Sequence, residues 1–331
     1  MRHSLLVIGC GSIGERHIRC FKATNRTEVA ATDFNAALLS AIGEKYGVKL
    51  HTDWENALLD PSFDVVLIAT PAHLHVAMAM KALAAGKNVL IEKPLSISLD
   101  NVKEAALLRD RKGLKVAVAY VYHTLPYLRG AKDCLEGGTL GVVRQAWVTS
   151  GQPFHLLRPA YANTYYKDHK TGGGAIQDAL THFANWIESV LGPSDSVICD
   201  GSRQMLEGVN VEDTVHATAR HGDVLVSYAL NQFQAPNEST IQFNASRGSL
   251  KIEFHNARWG IMRFGDSDWT WNDAKMSESA NDSPYILQAN EFLNYVENQD
   301  AQICTPEAAA STLRFNLAAL AAIKSEARVV C

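Results

Sequence analysis

Residues 5–14 read Leu-Leu-Val-Ile-Gly-Cys-Gly-Ser-Ile-Gly, an apolar run that passes straight into the spacing G-x-G-x-x-G at Gly9, Gly11 and Gly14. A short apolar run reads as a buried strand. Glycines at this spacing allow a tight turn, a close approach of backbone to a pyrophosphate, and close packing of the following helix. Unpaired N–H groups at the start of that helix, around Ser12 and Ile13, would then meet the phosphates. Taken alone, the glycines are also compatible with a plain strand-to-helix turn. Asp33 adds the missing context. It ends the next apolar run, 19 residues beyond Gly14, where an acid accepts from the adenosine ribose hydroxyls. A carboxylate there also repels a 2′-phosphate, and Phe34, Asn35 and Ala36 bring no cation to offset it, although Arg26 could lie nearby. NAD is expected in preference to NADP.

The rest of the first third fits the same unit. Apolar runs at 5–8, 29–32, 65–69, 89–91 and 116–120 alternate with helix-period segments at 12–23, 35–46, 73–85 and 99–112. Runs without polar alternation belong to strands covered on both faces, as in a parallel sheet. The β-α-β order implies right-handed crossovers and a doubly wound sheet. After about residue 121 the pattern changes. Helical segments are expected at 126–137 and 175–191. Period-two alternation then appears in Val211 to Ala219, in Thr240 to Ala245, and in Leu250 to His255, with Asp213 as a polar exception. Such strands make an antiparallel sheet with one buried face. A last helix spans 306–327, and 266–283 reads as a polar, mobile excursion. The expected fold is an α/β Rossmann dinucleotide-binding domain over 1–121, then an α+β domain with an open, mostly antiparallel sheet over 122–331.

Composition excludes several other classes. With 331 residues, 47% of them apolar, the chain can fill two cores. A net charge of −4 gives no electrostatic reason for nucleic acid or an anionic membrane as partner. Cysteines at 10, 20, 134, 199, 304 and 331 form no C-x-x-C pair, so neither a metal site nor a disulfide framework is expected. The apolar start at Leu5–Ile8 is too short for a secretory h-region, and no run approaches a membrane span. These features lead to the expectation of a soluble, cytoplasmic protein.

Three further segments carry chemistry. Thr70-Pro71-Ala72-His73-Leu74-His75 and Glu92-Lys93-Pro94 each follow an apolar run, at the strand ends where ligands bind in such sheets. Gly172-Gly173-Gly174 precedes Asp178 and His182, whose spacing on a helix is about 40° of rotation and puts both on one face. Singly, each could be a solvated lysine, a helix-start histidine or a surface pair. Together, the order G-x-G-x-x-G, acid, T-P-x-x-x-H, E-K-P and G-G-G with D-x-x-x-H resembles the Gfo/Idh/MocA oxidoreductases. The resemblance runs from residue 4 to about 192 by motif and to the C-terminus by architecture. It implies that Lys93 lies near the nicotinamide and the substrate hydroxyl, that Asp178 positions the substrate or Lys93, and that His182 is the acid/base. It also implies that Thr70, Pro71, His75 and Glu92 lie beside the cofactor. Histidine suits proton transfer at neutral pH, and a lysine ammonium stabilises a developing alkoxide.

The chain departs from the family where many members carry an arginine followed by proline; here residues 120–126 read Tyr-Val-Tyr-His-Thr-Leu-Pro. Tyr122 and His123 become candidate substrate contacts in its place. Residues 154–167 are rich in aromatic and cationic groups. Aromatic groups there, Tyr161 among them, suit a sugar or cyclitol ring, and Arg158 or Lys167 could read an acidic substituent, or the segment could be an interdomain packing loop. The main expectation is NAD-dependent oxidation of a secondary hydroxyl on a sugar, sugar acid or cyclitol. The alternatives are a redox-neutral enzyme that retains NAD, and a non-catalytic dinucleotide sensor. A homodimer or homotetramer is expected from the sheet face that the helices leave uncovered.

Overall fold

The computed structural model describes residues 2–273 and 282–331. The chain forms two compact units, Met1–Thr124 with Ser277–Ala310, and Leu125–Met276 with Ser311–Cys331.

The first unit alternates strands and helices: β1 (His3–Ile8), α1 (Ser12–Ala23), β2 (Thr27–Thr32), α2 (Ala36–Tyr46), β3 (Lys49–His51), α3 (Trp54–Leu58), β4 (Val65–Ile68), α4 (His75–Ala84), β5 (Asn88–Ile91), α5 (Val102–Lys112) and β6 (Val116–Val118). The sheet order is β3-β2-β1-β4-β5-β6, and every pairing is parallel. Successive residues feed opposite cores. Leu6, Ile8, Val66, Ile68, Val89 and Ile91 face one cluster, while Leu5, Val7, Val65, Leu67 and Leu90 face the other. Both faces are buried, which is why these strands show no polar alternation. The helix at 73–85 begins as a 3-10 turn, Ala72–Leu74, and Gly86 closes it with φ +79°. β3 and α3 are too short to show a period, and Asp53 caps α3 by accepting from Glu55 N and Asn56 N.

The second unit begins with α6 (Pro126–Glu136), β7 (Val143–Pro153) and the short α7 (Phe154–Leu157). After α8 (Thr181–Leu191) come β8 (Ser196–Ser202), β9 (Thr214–His221), β10 (Val224–Asn231), β11 (Phe233–Ala245), β12 (Gly248–Glu253), β13 (Arg258–Arg263) and β14 (Thr270–Asp273). The last elements of the chain are α9 (Ser283–Val296), α10 (Pro306–Ser325) and β15 (Val329–Val330). The nine strands are ordered β14-β13-β12-β11-β7-β10-β9-β8-β15. The β7–β10 pairing is parallel and the others are antiparallel. Val215, Ala217, Ile241, Phe243, Leu250 and Ile252 are all buried. On that face Trp186 of α8 lies 5.9 Å from Phe243, and Phe315 of α10 lies 5.6 Å from Tyr228. Thr240, Gln242, Lys251 and Glu253, on the opposite face, are half-exposed.

Two expectations are modified. Within 266–283, residues 270–273 form edge strand β14, while 274–281 lie outside the described residues. The alternation expected from Val211 becomes a strand only at Thr214; Asp213, the polar exception, sits fully buried just before β9 and accepts from Gln204 N, Met205 N and Leu206 N at 2.7–2.8 Å.

α9 rejoins the first unit, a return that a division at 121/122 does not foresee. Ala289, Phe292 and Leu293 are buried in the same cluster as Leu5 and Val7. Polar groups fix the contact. Arg19 donates twice to Asp282, with Nη2 2.7 Å from Oδ1. Arg26 Nη1 donates to Asn294 Oδ1 at 2.9 Å and Arg26 Nη2 pairs with Glu297 at 3.0 Å. His3 lies between Asp64 and Glu297, at 2.5 and 3.0 Å.

Candidate active site

In a parallel sheet the carboxyl ends of the strands share one edge, and ligands bind where the strand order reverses. Here the reversal falls between β1 and β4. The loop after β1 holds Gly9, Gly11 and Gly14. Gly9 has φ +96°, and a Cβ on it would lie 2.6 Å from Ala69 O. A Cβ on Gly14 would lie 1.9 Å from Gly9 O. These two glycines let the loop fold against β4. Gly11 differs, because nothing lies within 4 Å of where its Cβ would be. It caps α1 without any side-chain hydrogen bond, so the first N–H groups of Ser12 and Ile13 open onto space next to an exposed backbone. An open, uncapped helix start beside a glycine fits a pyrophosphate.

Asp33, just past β2, accepts from Cys10 N at 2.6 Å and from Asn35 N at 2.7 Å. Its carboxylate therefore holds the glycine loop in place and keeps lone pairs for ribose hydroxyls. Phe34 beside it is 99% exposed. Burial, helped by Asp33, pushes the Cys10 thiol up to about 12, so the cysteine inside the loop is inert.

At the same sheet edge, Thr70 and Pro71 follow β4, Glu92 and Lys93 follow β5, and Tyr122 and His123 lie half-exposed on the 3-10 turn Val121–Thr124 after β6. His75 is buried, with Nδ1 2.9 Å from Pro94 O and Nε2 2.7 Å from Thr70 O. It sits between the Thr70–Pro71 and Lys93–Pro94 loops; burial pushes its pKa down, against the two carbonyls, toward the neutral ring, which donates to one of them at a time. Lys93 is half-buried, and its amide donates to Glu92 Oε2 at 3.0 Å.

In the second unit, Gly173 passes so close to Tyr166 O that a Cβ would lie 2.1 Å from it. The expected regular helix over 175–191 starts instead as a π-helical turn, Ile176–Leu180, and becomes α-helical at Thr181. Wider turns of this kind are frequent at functional sites. Asp178 is on the π turn and His182 in the first turn of α8. Tyr165, which is exposed, donates its hydroxyl to Asp178 Oδ1 at 2.8 Å. Glu212, buried, accepts from Ile176 N at 2.9 Å and pairs with His169 at 2.5 Å, anchoring the turn from below. Arg158 is exposed. Tyr161 packs on Phe154 and Tyr166 in a small apolar cluster with Leu206, Val209 and Val211. The pairing of Tyr165 with Asp178, of His169 with Glu212 and of His17 with Glu92 has no signal in the sequence. The partners lie from 13 to 75 residues apart, and no local spacing signals such a contact. Among the described residues no group of three or more His, Cys, Asp or Glu could hold a metal ion.

Residues 4–120 match the family description "Oxidoreductase family, NAD-binding Rossmann fold", and residues 128–251 match "GFO/IDH/MocA C-terminal domain". The chain is a Gfo/Idh/MocA oxidoreductase. As a member of that family it binds NAD in its Rossmann unit. Among curated Gfo/Idh/MocA-like relatives, 1,5-anhydro-D-fructose reductase of Ensifer adhaerens is 27% identical over 74% of this chain and 74% of that protein. Levoglucosan dehydrogenase of Pseudarthrobacter phenanthrenivorans is 26% identical over 58% of this chain, and the match spans about half of that protein, 52%. A levoglucosan dehydrogenase structure in complex with NADH and levoglucosan superposes with TM-score 0.89 at 20% identity, covering 100% of this chain and 99% of the other. No helix among the described residues is long and apolar enough to cross a membrane.

Proposed function

We propose that this oxidoreductase oxidises a secondary hydroxyl of a sugar, sugar acid or cyclitol, using NAD in preference to NADP. The observation that carries the reading is the convergence on one sheet edge of an uncapped helix start, the Asp33 carboxylate and a lysine held through its own amide by Glu92. Two relatives named as acting on levoglucosan and 1,5-anhydro-D-fructose support the substrate class. NAD held at the Gly9–Gly14 turn and Asp33 would supply the hydride acceptor. The chain has to orient the carbinol carbon and remove the hydroxyl proton. The His182 imidazole takes the proton as the C–O bond gains double-bond character, and the Lys93 ammonium stabilises negative charge on the oxygen as it develops. Asp178, its carboxylate aimed by the Tyr165 hydroxyl, holds the substrate in register. Tyr122, His123 and Arg158 are the proposed substrate contacts at the periphery, and Thr70, Pro71 and His75 shape the nicotinamide end.

The test is NADH production across levoglucosan, D-glucose, myo-inositol and D-glucuronate, with NAD and NADP. His182→Ala should cut turnover of the best of these by roughly 10²–10⁴-fold, with NAD affinity by calorimetry little changed. Substrate consumption without NADH in bulk solution would replace this reading with a redox-neutral one. Near-normal turnover in the variant would remove His182 from the mechanism.

A further inference from the structure

Glu92 is 5% exposed and His17, on the inner face of α1, is fully buried. His17 Nε2 lies 2.6 Å from Glu92 Oε1, while the other carboxylate oxygen accepts the Lys93 amide at 3.0 Å. One carboxylate thus bridges the helix that starts at Gly11 to the backbone of the proposed catalytic lysine. The His17 ring is packed edge-on by Tyr285 at 5.9 Å and lies 6.3 Å from Phe21. Its Nδ1 has no hydrogen-bond partner, so the bond to Glu92 sets the ring's polar orientation. Burial would push the Glu92 carboxyl up; the His17 hydrogen bond and the nearby Lys93 charge overcome it and hold the group below the ordinary carboxylate range. A buried polar contact of this kind adds little stability over an apolar pair of similar volume. Geometry is what the bridge supplies.

We propose that His17 is a positioning residue for Lys93, acting through Glu92 to fix the lysine's backbone relative to α1. This rests on the reading of Lys93 as the group that acts on the substrate oxygen. The Lys93 amide is locked at a set distance from the helix whose N-terminus would hold the dinucleotide phosphates, so the lysine's root and a bound cofactor would share one rigid reference. Removing His17 leaves the carboxylate buried without its partner; it protonates or turns away, and the Lys93 amide loses its acceptor.

Four variants test this: His17→Leu, His17→Gln, Lys93→Ala, and His17→Leu combined with Lys93→Ala. Glutamine places a donor where Nε2 stood. In the cofactor-free protein, amide hydrogen exchange at Lys93 should accelerate at least tenfold in His17→Leu and return to within about threefold of normal in His17→Gln. Turnover of the best substrate of the panel above should fall about tenfold to a hundredfold in His17→Leu, recover in His17→Gln, and show no further loss when His17→Leu is added to Lys93→Ala. If His17→Leu does not fold, the exchange and turnover of His17→Gln against Glu92→Gln decide, with only the former near normal. Unchanged exchange at Lys93 in His17→Leu overturns the inference, as does full additivity of the two substitutions. Normal turnover in Lys93→Ala overturns instead the role given to the lysine, and leaves the exchange result to judge the bridge.

Discussion

A methyl group added at Gly14 would lie 1.9 Å from Gly9 O, whereas one added at Gly11 meets nothing within 4 Å. The two positions should therefore fail differently. Gly14→Ala forces backbone apart in a packed loop and should cost several kcal/mol, seen as a large fall in Tm or as insoluble protein. Gly11→Ala should keep Tm within about 2 °C, yet weaken NAD at least tenfold by calorimetry, because the methyl occupies the space left for phosphate. A Gly11→Ala variant with normal NAD affinity would contradict the placement of the phosphates. Asp33 has a double task. Its carboxylate repels a 2′-phosphate and also accepts from Cys10 N and Asn35 N. Asp33→Ala should narrow the gap between NAD and NADP, and at the same time lose about 1–3 kcal/mol of stability from two abandoned donors. Equal efficiency with both cofactors in the unmodified protein would sink the first half. The glycine spacing and Asp33 were legible because phosphate binding constrains neighbours along the chain. His17, Tyr165 and Glu212 were not legible, since what each does depends on a partner brought up by the fold.

Among the elements, α1, α2 and α4 and the central parallel strands announce themselves by period and by glycine punctuation. α9 did not. Its residues look like any amphipathic segment of the second unit; the burial of Ala289, Phe292 and Leu293 beside Leu5 and Val7, and the Arg16, Arg19 and Arg26 side chains facing Asp282, Asn294 and Glu297, show where it belongs. The same contacts make the junction sensitive to acid. Hydrogen bonding from Arg19 holds the Asp282 carboxyl below its ordinary range, and hydrogen bonding from His3 does so for Glu297. A carboxyl depressed in the folded state stabilises fully above its unfolded pKa, near 4, and that contribution is lost as pH falls through the folded value. At neutral pH, Asp282→Asn should lower Tm by about 1–3 °C, as expected of a partly exposed bidentate pair. Between pH 5 and 3 (approximate bounds set by the same carboxylate range) the two melting curves should converge. A difference that persists or widens in acid would mean that the pair adds nothing through its charge.

At the scale of the molecule, the face of the nine-stranded sheet opposite α8 and α10 requires an account. The pairing registers place Ile198, Thr218, Ser227, Trp147, Gln242, Lys251, Gly260 and Trp271 in one row across eight strands. Ile198 is 45% exposed, Leu225 on a neighbouring row is 38% exposed, and Trp147 and Trp271 are half-exposed. The row's one charge, Lys251, is stacked 4.4 Å over Trp269, and nearby Arg258 lies 3.9 Å over Trp271 and pairs with Glu253 at 2.8 Å. A broad face with aromatic residues, hydroxyls and amides but few free charges has the composition of an interface core, where charge is depleted and tryptophan enriched. A second copy of the same face is complementary to it by symmetry, since an isologous contact needs only one self-matching patch, and a stable contact of this kind buries about 800 Å² on each partner. The expectation is a homodimer, or a homotetramer built on it. Light scattering at micromolar concentration should give a mass two or four times that of the 331-residue chain. Ser227→Arg puts an unpaired guanidinium at the middle of the row, on a side chain that points to solvent in the single chain. It should shift the protein toward monomer while the far-ultraviolet circular dichroism stays unchanged. A monomeric mass for the unmodified protein would refute the assembly, and an unchanged oligomer in the Ser227→Arg variant would move the interface to another surface.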